Sequence, residues 1–159
     1  AAATGLPYRW TNGKTQIWLQ ADQMLIRNGS GPLHGLYALA GFAKSDGKNS
    51  PYTYQIYAGL VDRGPISTRP QDTFGVEWSE TIASPELVAS QWIRYRQGLS
   101  LPGNTTYPQS HITTLEVTYN IHAFRGLSIQ PDYQRIWRTN LQKNKPTVDA
   151  VGLKIHAVL

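Results

Sequence analysis

Hydrophobic and polar residues alternate along most of the chain. Between positions 115 and 121, leucine, valine, tyrosine and isoleucine alternate with glutamate, threonine and asparagine. This is the period of a strand whose two faces meet different surroundings. Clusters of glycine, proline and asparagine interrupt the alternation and predict turns. The pattern therefore predicts an all-β chain of seven antiparallel strands, over residues 15–27, 33–45, 52–62, 72–82, 111–122, 127–137 and 148–159.

One segment departs from the strand period. Ser84, Pro85 and Glu86 precede the run LVASQWIRYRQ. Serine as N-cap, proline in the first helical position and an acid in the first turn are typical of a helix start. We expect one short helix near residues 85–96, within a long loop that spans residues 83–110.

The predicted strands suit a membrane better than a soluble core. They contain 11–13 residues, whereas soluble strands average about 5–6 and a tilted membrane-crossing strand needs about 9–11. Their polar faces carry mostly uncharged groups, as a watery lumen would. Aromatic residues lie near predicted strand ends, as in the girdles of outer-membrane barrels; they are Trp10, Tyr52, Tyr54, Phe124, Tyr133 and Trp137. These features favour a segment of an antiparallel transmembrane β-barrel.

The same alternation is compatible with other architectures. A soluble β-sandwich also buries one face of each sheet, and this chain has five tryptophans and nine tyrosines. A Trp-rich sandwich that binds carbohydrate on a flat aromatic face is therefore the main alternative. An assembly component of an envelope complex that reuses half a barrel is a third interpretation. The strand predicted over residues 33–45 does not discriminate between them, since glycine, alanine and aromatics occupy both of its faces.

Four ordered motifs resemble one protein family. Residues 58–71 read AGLVDRGPISTRPQ and precede Asp72; EVTYN follows at 116–120, LSIQPDYQ at 127–134 and VGLKIHAVL at 151–159. In this order they resemble the carbohydrate-selective porins of Gram-negative outer membranes, the OprB family. The resemblance implies a single domain over residues 1–159, the C-terminal part of a barrel of about 16 strands. It also implies partners: outer-membrane lipid, mono- or oligosaccharides that diffuse passively through the lumen, and further barrel strands upstream of Ala1.

Alternation assigns one polar face to the lumen. On it we expect hydrogen-bonding side chains that replace part of a sugar's hydration, and aromatic rings that stack on sugar faces. The residues predicted to line the pore are Trp18, Gln20, Asp22, Gln55, Tyr57, Glu77, Glu116, Asn120, Gln130, Asp132, Gln134 and Lys154.

Prolines occur in a predicted turn and inside a predicted strand. The family-motif turn comprises Arg63, Gly64, Pro65, Arg69, Pro70 and Asp72. Its charged residues either staple the turn or send an arginine into the pore. Further on, Pro131 interrupts a predicted central strand, where it predicts a bulge or kink because proline has no N–H to donate.

The sequence gives little support for metal binding, catalysis or nucleic-acid binding. Cysteine is absent, which excludes thiolate metal sites and cysteine nucleophiles, and the four histidines show no metal-binding spacing. Glu77 and Glu116 are a carboxylate pair such as glycosidases use, but unrelated pore-lining acids are the simpler interpretation. The net charge of +5 is scattered, unlike a nucleic-acid footprint. We therefore expect no cofactor, no metal, no nucleic-acid partner and no enzymatic activity.

Overall fold

The computed structural model describes residues 13–29, 31–46, 50–102 and 105–158. Two residues named in the predictions lie outside these ranges: Trp10 of the aromatic set and Leu159 of the last strand. Seven strands and one α-helix account for most of the described chain. They are β1 (Gln16–Arg27), β2 (Gly35–Ser45), β3 (Tyr52–Arg63), β4 (Thr73–Ala83), α1 (Pro85–Arg96), β5 (His111–Phe124), β6 (Leu127–Trp137) and β7 (Val148–Ala157).

The strands form one antiparallel sheet in chain order, from β1 to β7. Each strand pairs with its sequence neighbours, and β1 and β7 do not pair with each other in the described residues. The predicted fold class is confirmed, with strand ends displaced by at most two residues. The extra residues of β5 arise because a turn of only Arg125 and Gly126 connects it to β6, where Gly126 has the left-handed φ of 84°.

The helix spans the predicted residues, Pro85–Arg96, and begins at the predicted cap. Ser84 accepts a hydrogen bond from the backbone N–H of Leu87 at 3.5 Å, and Pro85 occupies the first turn. Gln91 is buried on one side of the helix. Its side chain accepts from the backbone N–H of Gln109 at 2.7 Å and donates to the Gln109 side chain at 3.0 Å. These two bonds anchor the helix to the segment that leads into β5.

No layer covers either face of the described sheet. Ala83 and Leu141 are the only hydrophobic residues buried in the described part of the chain. Large apolar side chains stand exposed on one face, among them Val151, which is 84% exposed. A β-sandwich requires a second sheet packed over such a face, and the described residues contain one sheet. The sandwich alternative is therefore wrong for the described fold.

Cross-strand pairing resolves the faces of β2. Phe42 lies opposite Leu19 and Ile56, so it belongs to the apolar face. Gly41 lies opposite Gln20 and Tyr57 and belongs to the polar face. One aromatic also differs from its predicted place, because Tyr133 lies inside β6, opposite Val117 and Val151, and not near its end.

Within the described residues, no helix has both the length and the apolar character that a membrane crossing requires.

Pro131 does not produce the expected bulge. The register with β7 runs unchanged through the pair Pro131–Leu153, and the only shift between β5 and β6 lies between His122 and Phe124. The side chain of Thr118 donates to the Pro131 carbonyl at 3.3 Å and accepts from Gln130 at 2.8 Å. The backbone pairing of β5 with β6 is interrupted between Thr118–Asp132 and Ile121–Ile129, and these two side-chain bonds lie at the interruption.

Candidate functional site: the polar face of the sheet

The pairing register of the strands defines one continuous polar face across the sheet. Directly opposed residues lie on the same side of a sheet, so Glu77, Glu116 and Gln134, paired in succession, share a face. Tracing every pair in this way places all twelve predicted pore-lining residues on that face: Trp18, Gln20, Asp22, Gln55, Tyr57, Glu77, Glu116, Asn120, Gln130, Asp132, Gln134 and Lys154. The structure places them on one surface, spread from β1 to β7.

Tyr57 lies across the sheet towards β1. Its hydroxyl donates to the Gln20 side-chain oxygen at 2.9 Å, two strands away. The ring passes over Gly41 of β2, where an added Cβ would come within 2.1 Å of a ring carbon. Glycine at position 41 is therefore required for the ring to lie flat. The outer surface of the ring remains free to meet a solute.

Two carboxylates occupy adjacent strands in the same row. Glu77 and Glu116 are directly opposed, an arrangement in which like charges repel. The Gln134 amide donates to Glu116 at 2.9 Å and partly offsets this repulsion. Gly59 lies on the other side of Glu77, in close contact with β4, where an added Cβ would approach the Val76 carbonyl to 2.6 Å. The row offers several oxygen acceptors at one depth of the sheet, as hydroxyl-rich ligands require.

A second polar cluster lies on β5 and β6. Gln130 and Thr118 are hydrogen-bonded to each other, and Asp132 lies beside them opposite Thr118. The Asp132 carboxylate extends over Gly152 of β7, where an added Cβ would approach one carboxylate oxygen to 2.3 Å. The glycine thus keeps the carboxylate close to the sheet, as Gly41 does for Tyr57.

The family-motif turn is organised around Asp72. This side chain is 1% exposed. It accepts from the Tyr119 hydroxyl and from the His122 backbone N–H, both at 2.9 Å, and pairs with Arg69. The Arg69 hydrogen bond, helped by the other two donors, lowers the pKa of Asp72 to about 2 against the opposing effect of burial. Arg69 also donates to the His122 carbonyl at 3.3 Å, so it joins the turn to β5.

The remaining motif residues shape the turn or face the polar surface. Gly64 has a left-handed φ of 75°, and its N–H donates to the Asp72 carbonyl at 2.9 Å. Pro65 and Pro70 flank the tight segment between them. Arg63 has a different role from Arg69. Its guanidinium lies over the Tyr37 ring at 5.0 Å, on the polar face.

Sequence reasoning missed part of this surface. Tyr37 was missed because the faces of β2 did not resolve, and its pairing with Val61 is what assigns it. Thr118 was assigned to the polar face but not to the pore, since nothing local to β5 indicates its contact with Gln130. No metal-binding group of three or more histidine or acidic residues occurs in the described chain.

Comparisons with known proteins identify the family. The family model described as "Carbohydrate-selective porin, OprB family" matches residues 1–159. The chain belongs to the OprB family. Its fold is similar to that of OprB from Pseudomonas putida, solved at high pH, with a TM-score of 0.87 and 22% sequence identity. That likeness covers 98% of this chain and 38% of the Pseudomonas protein. No curated protein matches the chain.

Membership of the OprB family agrees with the one-layer sheet. A porin wall has one sheet with two different faces, and both are present here. The family and the fold are those of a channel. The resemblance seen in the four sequence motifs is confirmed, and the chain spans less than half the length of the solved OprB protein.

Proposed function

We propose that the chain is part of the wall of an outer-membrane barrel through which sugars diffuse passively. The polar face lines the lumen and the apolar face contacts lipid. The single observation that carries this proposal is the separation of the two faces, with neither covered in the described residues. The edges of β1 and β7, which do not pair with each other in the described residues, pair with further strands in a barrel of about 16.

The polar face supplies the chemistry that neutral sugars require. Amides, carboxylates and hydroxyls replace part of the hydration of a passing sugar, and the flat Tyr57 ring stacks on its C–H face. Trp18, 71% exposed, offers a second such ring on β1. Binding must stay weak, because a solute that is held tightly stops the flux. No step in this process forms or breaks a covalent bond.

The connections indicate which end of the sheet faces outward. At one end the chain turns at 28–34, 64–72 and 125–126; at the other it turns at 46–51, 84–110 and 138–147. Outer-membrane barrels have short periplasmic turns and longer extracellular loops. We therefore place the end that carries the helix on the extracellular side, with residues 83–110 as an extracellular loop.

Liposome swelling tests the proposal on the complete barrel. Glucose and maltose should enter faster than uncharged non-sugar solutes of matched size. Tyr57→Leu should reduce this preference, whereas Tyr54→Leu should preserve it, because Tyr54 belongs to the opposite face of the same strand. If both variants lose the preference equally, or the parent barrel shows none, the assignment of the polar face to a sugar path is wrong.

Gly41→Val should weaken sugar binding without a change at Tyr57 itself. The added side chain occupies the space of the Tyr57 ring and displaces it from the wall. We expect the sugar affinity to fall severalfold, because the loss of one aromatic contact costs about 1 kcal/mol. Sugar-induced block of ion current in planar bilayers measures it. Ala40→Val places the same valine side chain on the other face of β2 and should leave the affinity at the parent value; an equal loss there would contradict the role of the ring.

A further inference from the structure

An open cleft of about 540 Å³ lies on the apolar face, away from the proposed sugar path. Its base is formed by Trp78 and Leu115, which oppose each other on β4 and β5. Its rim is formed by Arg138, Lys143 and Lys145 of the loop between β6 and β7. A surface that is otherwise apolar thus carries a cluster of cations at one end.

The cleft extends along the sheet from membrane depth to the strand ends. Trp78 lies five residues before Ala83, the last residue of β4, so the base lies roughly 17 Å below that strand end at about 3.3–3.4 Å per residue. Trp137, the last residue of β6, lines the upper part. The arrangement matches a lipid, whose acyl chain lies deep and whose headgroup lies at the interface.

The cations at the rim are available to an anion. Arg138 donates to the Nδ1 of His111 at 2.9 Å, which fixes its guanidinium at the edge of the cleft. Neither Lys143 nor Lys145 lies within salt-bridge distance of a carboxylate in the described residues. The charge of the rim is therefore not neutralised by the chain's own acids.

Three acids share this face of the sheet; Asp62 lies at its other end, opposite Phe74, and two lie nearer the cleft. Asp149 accepts from Tyr133 at 2.7 Å and lies 3.8 Å from Arg135, so it is already engaged. Glu80 lies opposite Thr113, which lines the cleft. Against three rim cations, one unengaged acid leaves a net positive site.

The loop that carries the cations is anchored to the segment before β5. Gln142 is fully buried, and its side-chain oxygen accepts from the backbone N–H groups of Thr106 and Tyr107 at 3.1 and 3.2 Å. Leu141 has a left-handed φ of 60°, a conformation that leucine adopts only when its surroundings impose it. The two lysines follow directly after this anchored segment.

We propose that this cleft binds a phosphorylated glycolipid of the outer leaflet. The phosphates contact Arg138, Lys143 and Lys145, and an acyl chain lies against Trp78 and Leu115. The apolar base excludes a free anion as the natural occupant, and three convergent cations suit a headgroup with more than one phosphate better than a singly charged phospholipid. This inference rests on the proposed function, because it requires the apolar face to lie in lipid.

Native mass spectrometry of the complete barrel in detergent, titrated with diphosphoryl lipid A, tests the site. The triple variant Arg138→Gln, Lys143→Gln, Lys145→Gln should bind on the order of a hundredfold more weakly, since each basic side chain near an anionic lipid contributes about fivefold. The matched control Lys14→Gln, Arg27→Gln, Arg125→Gln removes the same charge outside the cleft and should bind as the parent does. Monophosphoryl lipid A should bind the parent more weakly than the diphosphoryl form.

Three results would overturn the proposal: equal affinity of the triple variant and the parent, equal affinity for phosphatidylglycerol and diphosphoryl lipid A, or displacement of the lipid by millimolar inorganic phosphate. Lys143→Arg with Lys145→Arg keeps the charge and should retain binding. Sugar permeation through the triple variant should equal that of the parent. Loss of lipid binding with normal permeation therefore separates this site from the proposed channel function.

Discussion

Val117→Arg should lower the free energy of unfolding of the complete barrel by about 2–4 kcal/mol, the cost of a basic residue on the lipid face near the bilayer midplane. Val117 lies in the middle of β5, between Val76 and Tyr133 on the apolar face. The new guanidinium would have no carboxylate opposite it on either neighbouring strand. Urea unfolding in lipid vesicles, followed by tryptophan fluorescence, measures the change.

Thr114→Arg is the matched control on the same strand. Thr114 lies between Ser79 and Ile136 on the polar face, where a charged side chain can remain in water. Thr114 is half-buried, and we expect its effect on unfolding to stay below about 1 kcal/mol, because a charge on the lumen side of a barrel remains in water. Equal damage from the two arginines would mean that both faces meet an apolar environment, and the membrane assignment of the sheet would then fail.

The elements were predictable because their signals are local. Turn clusters end the strands, alternation assigns most faces, and Ser84 with Pro85 starts the helix within its own first turn. Each of these depends on residues that are near one another in the chain. For the same reason, alternation alone placed residues as distant as Trp18 and Lys154 on a common face.

The contacts that organise the surfaces were not predictable, because they join distant segments. Asp72 meets Tyr119 and His122 across 47 and 50 positions of sequence. The faces of β2 required the register of its neighbours, since small residues occupy both sides. The register through Pro131, where a bulge was expected, is unshifted, and nothing local to β6 indicates this. The proposed lipid cleft is lined by residues of β4, β5, β6 and the loop between β6 and β7, and none of these lining residues belongs to one of the four sequence motifs.

Asp72→Ala should destabilise the complete barrel by about 2–4 kcal/mol near neutral pH. The change leaves the Tyr119 hydroxyl and the His122 backbone N–H without their acceptor, and each unsatisfied buried group costs about 1–3 kcal/mol. The ion pair adds less than a fully buried one would, because Arg69 is 45% exposed and partly screened by water. Asp62→Asn is the control, since Asp62 lies next to the last residue of β3, near the same turn, and accepts a bond from Asn28.

The pH dependence of stability identifies the carboxylate as the cause. The pKa of Asp72 is about 2 in the folded chain, below the value of about 3.9 for an unfolded aspartate. Its contribution is therefore fully present above about pH 4 and is lost as the pH falls towards 2. Asp72→Asn keeps the shape of the side chain but has no proton to gain in this range. The stability difference between parent and Asp72→Asn should shrink steadily from pH 5 to pH 2, measured by urea unfolding at each pH. A difference that stays constant over that interval would show that the Asp72 charge does not hold the turn to β5.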